Sequence, residues 1–208
     1  MEQNRGKHLR KQPARIKSDF WISPKNKASQ WIALHPNGGN EAEWLKAIDI
    51  IEDRIKGRFV RWIDSLVAKR FSGFVVVALD CLLIETLVGF MTGKPSKGPD
   101  ALLTGQLGSG EFQFTTEQAQ KFRESVRNGV IHDAETRGGW IIRPGEPDGR
   151  ILTPNGGSIT LNRNAFHSAL TRELEAWLAK LRSGDNRLRK NMTERMEQII
   201  KIHGEAVQ

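Results

Sequence analysis

The chain has 208 residues, a formal net charge of +8, a single cysteine and 38% hydrophobic residues. That length holds one domain with extensions and buries roughly 70% of the unfolded surface. The lone Cys81 excludes an intrachain disulfide, and a reducing, cytoplasmic setting is the expectation.

The charge is uneven. Residues 1–27 carry Arg5, Lys7, Arg10, Lys11, Arg15, Lys17, Lys25 and Lys27 against only Glu2 and Asp19, so the rest of the chain is nearly balanced. Residues 1–40 show no sustained apolar period. They read as a basic arm, partly disordered or docked through the short patches Phe20-Trp21-Ile22 and Trp31-Ile32-Ala33-Leu34. Lys7, Arg10, Lys11, Arg15 and Lys17 are the arm's candidate contacts to nucleic acid or another polyanion. The arm has no apolar stretch of the kind a signal peptide carries.

The main body is read as residues 41–208. Over 41–69, Trp44, Ile48, Ile51, Ile55, Phe59, Trp62 and Leu66 recur at steps of three and four, which predicts one long amphipathic helix. Gly57 lies inside it at a cost of ~1 kcal/mol. Residues 71–91 predict a second helix, apolar nearly all round and therefore central. The segment 74–91 is the one membrane candidate, but Asp80 and Glu85 interrupt it. Aspartate at a bilayer centre costs roughly 2.5 to 3.5 kcal/mol, so the stretch reads as a core helix. There Asp80 and Glu85 each call for a cation or a polar cleft, and Cys81 for an inert buried thiol.

Residues 93–110 form a Gly/Pro/Lys/Ser loop, long enough to be mobile or functional, without phosphate-loop spacing. Thr115 with Gln118 is a capping-box signal for a third helix from Thr116. Phe122, Val126 and Val130 make its apolar face, and Arg123 and Arg127 lie on another. Residues 140–143, 150–153 and 158–161, separated by turn signals, predict a small β meander inserted at about 140–162. Asn162 or Asn164 caps a fourth helix to about Arg182, with Phe166, Leu170, Leu174, Trp177, Leu178 and Leu181 as its stripe. A charged final helix over 186–203 buries Leu188, Met192, Met196, Ile199 and Ile200. The expected fold is mainly α, a helical bundle with a three-stranded insertion before the fourth helix.

The third helix ends on Arg127-Asn128-Gly129-Val130-Ile131-His132. A guanidinium grips phosphate oxygens through paired donors, and an imidazole gives or takes a proton near neutral pH. An amide beside the arginine can orient either. Gly129 permits close backbone approach, and Arg123 adds a cation one turn earlier. These groups suit cleavage of RNA by its own 2′-hydroxyl, which needs a base, an acid and a cation for the phosphorane. On a straight helix five positions separate the two side chains by about 140°, so a second motif facing the first would complete the chemistry. His8, His35, His132, His167 and His203 are scattered, and Asp80, Glu85, Asp133 and Glu135 follow no metal-ligand spacing. No metal and no cofactor are expected. Trp140, just past the motif, is a base-stacking candidate or a core residue.

An Arg-x4-His motif with a polar residue after the arginine, on a helix that follows a buried carboxylate-bearing helix, resembles the HEPN superfamily. The resemblance covers about 41–202; the arm and the β insertion lie outside it. It implies a metal-independent endoribonuclease that works as a homodimer with its two motifs facing, and a toxin or antiviral effector held by an antitoxin or other regulatory partner. Arg127 and His132 would then be catalytic, Asn128 would assist, and Asp80 and Glu85 would support the site. Two rival readings stand beside it. One is a non-catalytic RNA- or partner-binding bundle. The other is a component of a larger complex, docked through the helix 41–69.

Overall fold

The computed structural model describes residues 19–34, 36, 40–95 and 110–205. The candidate contacts Lys7, Arg10, Lys11, Arg15 and Lys17, and most of the loop 93–110, lie outside those residues. Within them the chain is mainly helical, with one small three-stranded sheet.

The first element, α1 (Ala28–Ala33), belongs to a segment anchored on the body by the fully buried Ile22 and Ala28 and by Trp31. The next helix, α2, has three parts: an α segment Glu41–Ile55, a π turn Lys56–Val60 and an α segment Arg61–Val67. The π turn corrects the predicted stripe. Ile48, Ile51 and Ile55 are buried as expected, but the core then resumes at Val60 and Ile63, five residues on from Ile55 and then three. A π turn inserts one residue and rotates everything after it. Phe59 and Leu66 are left only partly buried, and Trp62 is turned out to 56% exposure. Gly57 sits inside this turn with a purpose: a β-carbon there would stand 2.5 Å from Pro24 Cγ, so its absence lets the N-terminal segment lie on the helix.

The helix α3 (Gly73–Thr92) is central, packed by α2, by α4 (116–133), by α5 (Arg163–Arg182) and by α6 (Asn186–Glu205). Among the described residues it is the one helix long and apolar enough to cross a membrane, and more than half of that stretch is buried inside the protein. The buried Arg163, first residue of α5, closes the end of α2. It donates to the carbonyls of Val67 and Lys69 at 3.0 Å and to Ser72 Oγ at 3.1 Å. The α2 terminus thereby gains a cation for its unpaired carbonyls.

The fourth helix, α4, starts with the expected Thr115–Gln118 capping box. It runs as Thr116–Lys121, a π turn Phe122–Arg127 and a last α segment Asn128–Asp133. Phe122, Val126 and Val130 are buried. Phe122 stacks on Phe166 of α5 (5.1 Å) and meets Trp140 edge-on (6.0 Å), so Trp140 is a core residue and offers no face to a base.

The sheet is not a meander. β1 (Trp140–Arg143) pairs parallel with β3 (Ser158–Asn162), and β2 (Leu152–Asn155) pairs antiparallel on the other side of β3. Burial explains the order. Trp140 and Leu161 face the core from β1 and β3, whereas β2 is mostly exposed and takes the edge. Pro154, which has no N–H for a ladder, is tolerated on that edge. The β2–β3 turn uses Gly156 and Gly157, both at positive φ (52° and 87°), as a two-residue hairpin requires. Asn162, not Asn164, caps α5: its Oδ1 accepts from the N–H groups of Asn164 and Ala165 at 3.1 Å.

Candidate active site at the end of α4

Arg127 is the last residue of the α4 π turn, and its side chain crosses to α3. Its Nε (3.1 Å) and Nη2 (2.9 Å) both donate to Glu85 Oε1, while Nη1 donates to Asn128 Oδ1 at 3.1 Å. Both partners of the ion pair are largely shielded from solvent. Glu85 thus meets the cation that its place in an apolar helix called for, and Asn128 holds the guanidinium from the other side. Charge-assisted contacts of this kind fix orientation as well as energy.

Gly129 is buried where the chain returns on itself. Ala134 takes a left-handed conformation (φ 54°), Glu135 N–H donates to the Gly129 carbonyl at 3.3 Å, and Arg137 N–H donates to the Ser125 carbonyl at 2.9 Å. A β-carbon on Gly129 would run into the Glu135 carbonyl oxygen. The close approach expected of this glycine is made by the protein's own backbone. Arg137 then pairs with Asp133 (Nε to Oδ2, 2.7 Å), which ties the return strand to the helix end. His132 lies on the open side of this end, exposed, with no hydrogen-bond partner among the described residues. Arg123 lies one turn before Arg127, partly buried, with Nη2 at 3.6 Å from Glu124 Oε1. Exposed Ile131 lies one turn after it.

Asp80 goes elsewhere. It is fully buried, and its Oδ1 is 2.7 Å from Nδ1 of His167 on α5. The other ring nitrogen of His167 lies 3.0 Å from Oδ1 of Asp64 on α2. Asp80 therefore braces α3 to α5 and α2, and its hydrogen bond goes to His167 rather than to Arg127. Burial pushes the Asp80 carboxyl up to about 6, against the opposing pull of His167. Burial alone would lower the His167 imidazole, but the bonds and charges of Asp80 and Asp64 outweigh it and raise it. Cys81, between the two clusters, is fully buried and its thiol is pushed far up by that burial, consistent with an inert side chain.

His167 and Asp64 were not singled out by the sequence. The usable signal was Asp80 itself, a carboxylate in an apolar run that needs a partner. Nothing in the sequence named His167, which sits inside the apolar stripe of α5. Among the described residues no group of three or more His, Cys, Asp or Glu is placed to hold a metal ion. Comparison with family models, curated proteins and solved structures finds no match to this chain.

Proposed function

We propose that the chain is a HEPN-type, metal-independent endoribonuclease that acts as a homodimer. The observation that carries this reading is the end of α4: a guanidinium held by Glu85 and Asn128, with an exposed imidazole five residues further on the same helix. The 2′-hydroxyl of RNA attacks the adjacent phosphorus, its proton passes to an imidazole, and the 5′-oxygen leaves with a proton from a second acid. The products are a 2′,3′-cyclic phosphate and a 5′-hydroxyl. His132 serves as base or acid, and its copy in the second protomer supplies the other role. Arg127 stabilises the charge that develops on the non-bridging oxygens. The exposed apolar face of α3 at Val75 and Leu82, on the helix that carries Glu85, gives a second copy a surface to cover. The role as toxin or antiviral effector, and a neutralising partner, rest on the resemblance alone.

One observation favours the non-catalytic reading. Glu85 already neutralises Arg127, and a shielded ion pair between α3 and α4 is also what a purely structural cross-link looks like. Cleavage of a mixed RNA in EDTA by wild type, Arg127→Ala, His132→Ala and Glu85→Gln separates the two. Cutting by wild type that leaves 2′,3′-cyclic ends and is lost in His132→Ala and Arg127→Ala supports the nuclease. Undiminished cutting by His132→Ala, or cutting only with an added divalent ion, refutes it. RNA bound but uncut under every condition leaves the binding module.

A further inference from the structure

The π turn in α2 turns Trp62 outward, and Trp62 is not alone. Trp21, in the anchored N-terminal segment, is 58% exposed. Each ring has a cation over one face: Lys27 Nζ stands 5.3 Å from the Trp21 ring and the Arg61 guanidinium 5.5 Å from the Trp62 ring. Arg58 joins the two. Its Nη2 donates to the Trp21 carbonyl at 3.0 Å, and it precedes Trp62 by four residues, about one helical turn. One turn back, Arg54 donates to the Ile22 carbonyl. Its guanidinium, largely buried, lies near Arg58 and near Arg195 of α6, and burial with these like charges pulls it down to about 10. No carboxylate among the described residues forms an ion pair with Arg54, Arg58, Arg61 or Arg195. The nearest acid felt by Arg58 is Asp53, which already accepts from the Lys25 N–H at 2.9 Å.

Tryptophans normally bury most of a surface of ~150–250 Å². Here two stay open beside a row of arginines that form no ion pair among the described residues. Single-stranded nucleic acid is recognised by this combination, bases stacking on open rings while cations follow the phosphates. A protein partner seated on the same face would be expected to bring carboxylates to the exposed guanidiniums of Arg58 and Arg61 as well as a pocket for each ring. A polynucleotide strand brings both components in one repeating unit.

We propose that Trp21, Trp62, Arg58 and Arg61 form a binding strip for single-stranded nucleic acid, with bases stacked on the two tryptophans, phosphates on the two arginines, and the positive charge of Arg54 and Arg195 behind them. The strip does not depend on cleavage at Arg127 and His132, since none of its residues belongs to that helix end.

The test is fluorescence anisotropy of the full chain with a labelled 12-nucleotide thymidine strand, which lacks the attacking 2′-hydroxyl and so reads binding without cleavage. The uridine strand and a duplex of matched length run alongside. Trp62→Ala weakens binding by roughly 5- to 100-fold at every salt concentration and leaves the salt slope unchanged, because stacking releases no counterions. Arg61→Gln lowers the log–log salt slope by about 0.7. The duplex binds more weakly than either single strand. The proposal is overturned if Trp62→Ala and Trp21→Ala, with unaltered circular dichroism, bind within twofold of wild type. That would leave the basic arm as the contact. It is equally overturned if wild type fails to bind the strand at low salt, or if Trp62→Ala instead abolishes self-association in sedimentation, which would make the face a protein-docking surface.

Discussion

Removing the His167 side chain tests what holds α3 in place. Asp80 is fully buried, its Oδ1 is bonded to His167, and its Oδ2 has no partner among the described residues. In His167→Ala the carboxylate is stranded in a low-dielectric interior. Breaking a buried pair from one side costs roughly 3 to 5 kcal/mol, a large share of a total stability of about 5 to 15 kcal/mol. The other partner, Asp64, is 62% exposed, so Asp64→Ala costs at most about 1 kcal/mol. The pH dependence follows from both folded-state shifts being upward. A group whose folded pKa is raised binds its proton more tightly in the native state, so its contribution is fully present below the unfolded value and is lost as pH rises through the folded one. For Asp80 the descent runs from its ordinary 3.8 to about 6. Through a shift of that size it removes on the order of 3 kcal/mol. For His167 it continues upward from 6.5. Guanidinium unfolding followed by far-ultraviolet circular dichroism, at about pH 5.5 and about pH 8, reads the His167 descent and the last part of the Asp80 descent. Wild type loses stability across that interval, and Asp80→Asn/His167→Ala loses distinctly less. A cost below about 1 kcal/mol for His167→Ala at neutral pH, or parallel pH profiles for wild type and the double variant, refutes the brace.

Two further outcomes follow from backbone geometry. Gly129→Ala pushes a methyl group into the Glu135 carbonyl and loosens the chain return at the end of α4. It costs about 1 to 3 kcal/mol in thermal or chemical unfolding and weakens whatever His132 does; a variant as stable as wild type would show that the return is not tight. Asn162→Ala leaves the Asn164 and Ala165 N–H groups without their acceptor. It lowers the melting temperature by roughly 2 to 4 °C, for about 1 kcal/mol, and an unchanged melting temperature would deny the cap any role.

Much of the helical frame was legible because burial repeats at helical spacing. The stripe of α5, the capping box before α4 and the all-round apolarity of α3 each appear where the pattern places them. The failures have local causes. Periodicity assumes one constant rotation per residue, and the π turn in α2 breaks it, so Trp62 was assigned to the core and stands outside it. Sequence order suggested a meander, but the requirement to bury Trp140 and Leu161 together set β1 beside β3 and sent Pro154 to the edge. In the candidate site, Glu85 was legible as a carboxylate in need of a cation, and Arg127 supplies it. Asp80 was legible in the same way, but its partner sits 87 residues away in another helix, and no local rule reaches that far.

The ion pair with Glu85 leaves the chemistry of Arg127 open in a specific way. A guanidinium has five N–H donors. Glu85 Oε1 accepts from Nε and from one of the two on Nη2, and Asn128 Oδ1 accepts from one of the two on Nη1. One donor on each terminal nitrogen remains for a phosphate oxygen. A carboxylate that took both terminal nitrogens would have closed that end of the group. This one takes the stem side, and an amide holds the far nitrogen, so the group is fixed in direction while its outer donors stay uncommitted. Fixing a cation before the charge develops is worth more than the same cation on a mobile chain, since no reorganisation is needed at the moment of reaction. The cost is the net charge, which Glu85 cancels, and a phosphorane therefore needs positive charge from elsewhere. A second protomer's imidazolium is the group the proposed dimer offers for it.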